Sequence, residues 1–168
     1  YFVASPTLGW TIKPGGAAGL YRANSQGLRA DRDYALEPPP GRMRIAAFGD
    51  SFTHGDEATL DETWESALER LDGRLEVLNF GVNGYGPDQA FLRYQEQGIA
   101  FEPQIVLIGL LSENIRRTVS LFRPFYYQDT RFPLTKPRFL FEGDRFVLME
   151  NPFAHVKDPD GFLQNERK

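Results

Sequence analysis

The sequence predicts an α/β fold, a three-layer α/β/α sandwich built on a parallel sheet. Three observations carry that expectation. Strand-like and helix-like segments alternate between residues 43 and 111, a pattern that folds through right-handed crossovers into a parallel sheet with helices on its faces. The run Ile105-Val106-Leu107-Ile108-Gly109-Leu110-Leu111 is continuously apolar, as expected of a central parallel strand covered on both faces. With 168 residues, 41% of them hydrophobic, the chain has enough apolar surface for one good core but not comfortably for two.

Each element follows from local chemistry. Residues 1–42 carry Pro6, Pro14, Gly15-Gly16, Gly19 and Pro38-Pro39-Pro40, which excludes long helices and leaves an irregular lead with short strands. The proline run is a stiff, extended spacer. It feeds Met43-Arg44-Ile45-Ala46-Ala47-Phe48, a buried-type strand. Thr59-Leu60-Asp61-Glu62 has capping-box spacing. Trp64, Ala67, Leu68 and Leu71 then share one helical face up to Asp72-Gly73. Leu75 to Phe80 reads as the second strand, and Pro87 to Gln97, closed by Gly98, as a helix with Ala90, Phe91 and Tyr94 inward. Beyond residue 112 the pattern loosens, with a hairpin expected at Phe139–Leu148 around Gly143-Asp144. The expected organisation is a lead (1–42), an α/β core (43–123) and a C-terminal extension or insertion (124–168).

Composition excludes several functions. Net charge is −4, with no Lys/Arg block that could track phosphates, so no nucleic-acid partner is expected. The absence of cysteine removes thiolate catalysis, disulfides and Cys-based zinc sites. No apolar run is long enough to span a bilayer, and the first residues lack the pattern of a signal peptide. A soluble protein without stable membrane insertion is expected, with periplasm and extracellular space as candidate compartments. Neither a metal nor an organic cofactor is called for. Both ends are abrupt, and the chain reads as a piece of a longer protein.

In an open parallel sheet, ligands bind beyond the carboxyl ends of the strands. Three loops lie there: Gly49-Asp50-Ser51-Phe52-Thr53-His54-Gly55, Gly81-Val82-Asn83-Gly84-Tyr85-Gly86, and Ser112-Glu113-Asn114. A serine after Gly-Asp at a strand end can project its hydroxyl from a tight turn with backbone N–H groups beside it. In these blocks the chain resembles the SGNH hydrolases, or GDSL lipases/esterases, over roughly residues 43–123. The resemblance implies a flavodoxin-like sheet and an ester hydrolase acting on a small-molecule or carbohydrate ester. Ser51 corresponds to the nucleophile and an oxyanion donor, and Gly84 to the second donor. Asn114 is the candidate third donor, in a shifted register, since the third block here reads Gly109-Leu110-Leu111-Ser112-Glu113-Asn114 rather than Gly-x-Asn-Asp. Asp50, Asn83 and Arg116 border these positions and are the candidate substrate-binding residues.

The likeness has one large gap, because no Asp-x-x-His, the family's base-bearing block, occurs anywhere in the chain. The only histidines are His54, too close in sequence to Ser51 for ready alignment as its base, and His155, in the reversed order His-x-x-Asp. The missing block is expected beyond Lys168. Two alternatives stay open: a binding module that kept the sandwich and lost its base, and an envelope-polysaccharide O-acyltransferase, although the Asp-x-His that precedes the serine block in such domains is absent. Arg116, Arg117 and Arg123 are candidates for clamping an anion or for ordinary ion pairing. Phe122, Phe125, Tyr126 and Tyr127 are candidates for packing or for a subsite wall. Glu62, Glu65 and Glu69 read as a solvated helix face.

Overall fold

The computed structural model describes residues 1–126, 135–152 and 154. The lead holds two small antiparallel ribbons, β1 (Phe2–Ser5) with β2 (Gly9–Ile12), and β3 (Ala17–Ala18) with β4 (Tyr21–Arg22). The core follows as β5 (Met43–Phe48), the single turn α1 (Ser51–His54), a 3-10 turn at Leu60–Glu62, and α2 (Trp64–Leu71). Next come β6 (Leu75–Asn79), α3 (Pro87–Glu96), a 3-10 turn at Gly98–Phe101, β7 (Ile105–Ile108) and α4 (Asn114–Val119). A 3-10 turn at Arg123–Phe125 precedes the hairpin of β8 (Arg138–Glu142) and β9 (Arg145–Met149).

The fold is mixed α/β around a three-stranded parallel sheet ordered β6-β5-β7. The first strand is central, so the serine-bearing loop leaves the middle of the sheet. β5 is buried from Arg44 to Phe48 and begins where the proline run stops, since proline can donate no ladder hydrogen bond. β7 is the outer strand, not the covered central strand its apolar run predicts. Ile105, Leu107 and Ile108 are each close to 40% exposed because no fourth strand lies against that side among the described residues.

Two apolar clusters make the core. Leu28, Ala46, Phe48, Leu78, Phe80, Ala90 and Phe101 form one, with Phe48 and Phe80 stacked at 4.6 Å. Leu8, Trp10, Ile12, Val82 and Tyr85 form the other. Both draw on the lead, which is therefore packed into the core. Buried arginines fasten it there. Arg93 donates to the carbonyls of Phe80 (2.8 Å) and Gly27 (2.7 Å), and Arg44 to those of Leu36 (2.6 Å) and Phe101 (2.7 Å) while pairing with Glu76 (2.6 Å).

The helices depart from the expected faces. The Thr59/Glu62 capping box closes the separate 3-10 turn, and α2 starts afresh with Thr63 as its cap. Trp64 and Leu71, the first and last residues of α2, are exposed (37% and 83%), while Glu65 is buried. Glu69 is not free in solvent either, since it accepts the Val77 N–H at 2.8 Å and pairs with Arg32 at 3.1 Å. On α3, Ala90 and Arg93 face inward, whereas Phe91 turns out toward Phe139 of the hairpin, 6.1 Å between ring centres. Among the described residues no helix is long and apolar enough to cross a membrane.

Two buried ionisable groups make the core testable. Burial pushes the Glu65 carboxyl up from 4.5 to about 8, against the weaker lowering pull of its own backbone N–H, Thr63 and Asn79. The unfolded chain ionises first, so this contribution to stability is complete below pH 4.5 and is lost as pH climbs to about 8. Glu65→Gln is expected to flatten the pH dependence across that window and to gain roughly 3–5 kcal/mol over the parent at its upper end, read by urea unfolding at stepped pH. The second group is Lys136, fully buried, which donates to Asp88 at the start of α3 and to the Pro137 carbonyl at 3.0 Å. Lys136→Met leaves Asp88 buried without its cation and is expected to cost about 3 kcal/mol, most of it recovered in the Asp88→Asn/Lys136→Met double variant.

Candidate functional site

The site is built around Asp50, which caps α1. Its Oδ1 accepts the Phe52 N–H at 3.0 Å, while Oδ2 accepts from Asn114 Nδ2 at 3.0 Å and from Arg117 Nη1 at 2.7 Å. The carboxylate is 3% exposed and fully engaged, so it holds the turn and is not free for substrate. Ser51 follows as the first helical residue, half-buried beside the exposed Phe52. Neither its hydroxyl nor its backbone N–H makes a hydrogen bond among the described residues.

The glycine-rich loop after β6 is laid against this turn by backbone contacts. Val82 N donates to the Gly49 carbonyl at 3.0 Å, and the Asn79 side chain joins Thr53 O (2.8 Å) to Gly81 N (2.9 Å). Gly81 is required by crowding, because a Cβ there would lie 2.2 Å from His54 N and 2.6 Å from the Thr53 carbonyl carbon. Gly84 has φ +77°, open to glycine at no steric cost, and its N–H also finds no acceptor among the described residues. Its neighbour Asn83 does not stand free. Asn83 Nδ2 donates to Asp56 at 2.5 Å, its Oδ1 accepts from Arg123 Nη2 at 3.1 Å, and its carbonyl accepts the Trp10 indole N–H at 2.9 Å.

Asn114 comes from the third loop as expected and is buried, but its amide ties the loops together. Oδ1 accepts Leu111 N at 2.6 Å, and Nδ2 contacts both Asp50 Oδ2 (3.0 Å) and the Tyr85 carbonyl (3.5 Å). With both N–H groups so directed, Asn114 acts as a positioning residue in this geometry. The arginine that reaches the serine turn is Arg117, which adds a 3.1 Å bond to the Tyr85 carbonyl and a 3.6 Å contact with Glu113. Arg116 is exposed, and its side chain makes no hydrogen bond among the described residues. Helical spacing carries the missed signal: residue 117 lies one turn after Asn114 on the same face, and 116 does not.

His54 is fully buried, and both ring nitrogens are committed. Nδ1 lies 2.5 Å from Asp56, and Nε2 lies 2.7 Å from the Tyr1 hydroxyl. These partners fit a neutral ring that donates from Nδ1 to Asp56 and accepts from Tyr1. Burial holds its pKa below the usual histidine value, against the opposing pull of Asp56. For Asp56 burial acts upward, but the bonds from His54 and Asn83 outweigh it and leave its pKa low. Tyr1 and Tyr21 pack edge-on to the ring at 5.6 and 4.9 Å, and Arg29 closes the far side with bonds to the carbonyls of His54 (2.6 Å) and Gly55 (2.5 Å). His155 and Tyr127 lie outside the described residues.

The structure thus brings Asp50, Ser51, Asn114 and the Gly81–Gly86 loop to one edge of the sheet, with Arg117 in place of Arg116. No protein-family model matches the chain, and no curated protein is similar to it at a significant level. Gly81→Ala tests the close packing of the two loops. The clash is with backbone that cannot yield alone, so a loss of about 2–3 kcal/mol is expected in thermal or urea unfolding, larger than for Gly73→Ala, where a Cβ meets open space.

Proposed function

We propose that this chain is a serine ester hydrolase domain of the SGNH type, its three-stranded sheet forming part of a three-layer α/β/α sandwich. One observation carries the reading. Ser51 opens a helical turn at the end of the central parallel strand, with its hydroxyl and N–H, and the Gly84 N–H of the adjoining loop, unengaged among the described residues.

In this reading Ser51 Oγ attacks the ester carbonyl carbon while its proton passes to a base. Negative charge gathers on the carbonyl oxygen, where the Ser51 and Gly84 N–H groups would receive it. The C–O bond to the alcohol then breaks as the base passes that proton to the leaving oxygen, giving an acyl-serine that water or a second alcohol cleaves by the reverse sequence. Asp50, Asn114 and Arg117 hold the turn in position, and hydrogen-bond donors of this kind are worth most when fixed before the reaction begins. Substrate is a small-molecule or carbohydrate ester.

A second reading, a binding module of the same architecture, is favoured by His54, whose two nitrogens are taken by Asp56 and Tyr1. Labelling with a fluorophosphonate separates the two. A serine hydrolase labels, and Ser51→Ala abolishes the label. Equal labelling of both proteins sinks the nucleophile assignment, and no labelling of a folded parent favours the binding module.

A further inference from the structure

A cavity lies on the outer side of α4. The C-terminal half of this helix, the Leu121–Tyr126 segment and the start of β8 enclose its volume of about 480 Å³, within the size range of small-molecule sites. One wall is apolar: Val119 and Phe125 are 63% and 82% exposed, and Phe125 meets Phe122 edge-on at 5.1 Å. Exposing that much aromatic surface is unfavourable unless something covers it.

The polar wall consists of donors without acceptors. The Tyr126 hydroxyl and Arg138 Nε are buried and have no hydrogen-bond partner among the described residues, and the Arg116 guanidinium is likewise unbonded. Arg138 is held in place by its Nη1, which donates to the Val119 carbonyl at 2.6 Å. Among the described residues no carboxylate lines this cavity. Glu113 borders an adjoining cavity of about 80 Å³ with Arg116, Arg117 and Tyr126, and contacts Arg117. Orphaned buried donors are costly and call for an acceptor, and two guanidiniums that no carboxylate pairs with among the described residues are suited to an anion.

We infer that this cavity binds a small amphipathic anion, its apolar body laid on Val119, Phe122 and Phe125 and its anionic group taken by Arg116, Arg138 and the Tyr126 hydroxyl. The site sits on the face of α4 opposite Asn114 and Arg117, so its occupancy does not require Ser51 to react.

The test is calorimetric titration of the folded chain, and of its Ser51→Ala variant, with octanoate, octan-1-ol and acetate at low ionic strength. Octanoate is expected to bind both proteins alike and about tenfold more tightly than octan-1-ol, which lacks the charge, or acetate, which lacks the tail. Added salt weakens the octanoate binding. Arg116→Gln changes an exposed side chain with no hydrogen bond among the described residues, and Phe125→Ser one that is 82% exposed and meets only the Phe122 ring edge-on among the described aromatics, so each should weaken octanoate about fivefold or more with little change in unfolding temperature. Equal affinity for octanoate and octan-1-ol, unchanged affinity in both variants, or no binding at millimolar octanoate would overturn the site. Loss of binding in Ser51→Ala alone would overturn its independence from the serine turn.

Discussion

The structure depends on buried guanidinium groups that satisfy backbone carbonyls. A lead with little regular structure cannot pair its own polar groups, and unpaired buried carbonyls are costly. Arg29, Arg44 and Arg93, each at most 1% exposed, solve this with several donors apiece in a fixed planar fork. Arg93 joins α3 to Gly27, Arg44 joins the central strand to Leu36 and to Phe101, and Arg29 reaches the carbonyls of His54, Gly55 and Ala58. Lysine, a single point charge, could not replace them.

The serine turn inherits its rigidity from this arrangement. Arg29 fixes the segment after α1 from behind, while Asp50 fixes its beginning through the cap and through the bonds from Asn114 and Arg117. A one-turn helix has almost no stability of its own. Its conformation is therefore set by side chains at both ends, which leaves Ser51 as the unengaged polar residue between two anchored flanks.

What was legible in the sequence was what short-range chemistry decides. β5 begins at Met43 because prolines precede it, α3 begins at Pro87 after Gly86, and the β8–β9 turn falls on Gly143-Asp144. The grouping of the Asp50, Gly84 and Asn114 loops follows from strand order alone. What was not legible depends on partners distant in sequence. The buried face of α2 is not the one periodicity predicts: Trp64 and Leu71, at its two ends, are exposed, and Glu65 is buried instead. Phe91 looked inward on periodicity and is instead met by a hairpin some fifty residues later. His54 gave no sign that Tyr1 would occupy its far nitrogen. The choice between Arg116 and Arg117 was within reach, since helical spacing from Asn114 favours the latter.

The two edges of the sheet are guarded unequally. On β6, the Glu69 carboxylate takes an edge N–H and α2 covers the flank. On β7 nothing comparable stands among the described residues, and Ile105, Leu107 and Ile108 lie on an outer strand with neither a proline nor a charged side chain. Such an edge is a template for another strand. Two copies meeting there about a two-fold axis would fuse their three-stranded sheets into one of six strands. Self-association through this edge would add a strand beside β7, itself the neighbour of the strand that leads into the serine turn, and a lysine at position 107 would set like charges against each other there.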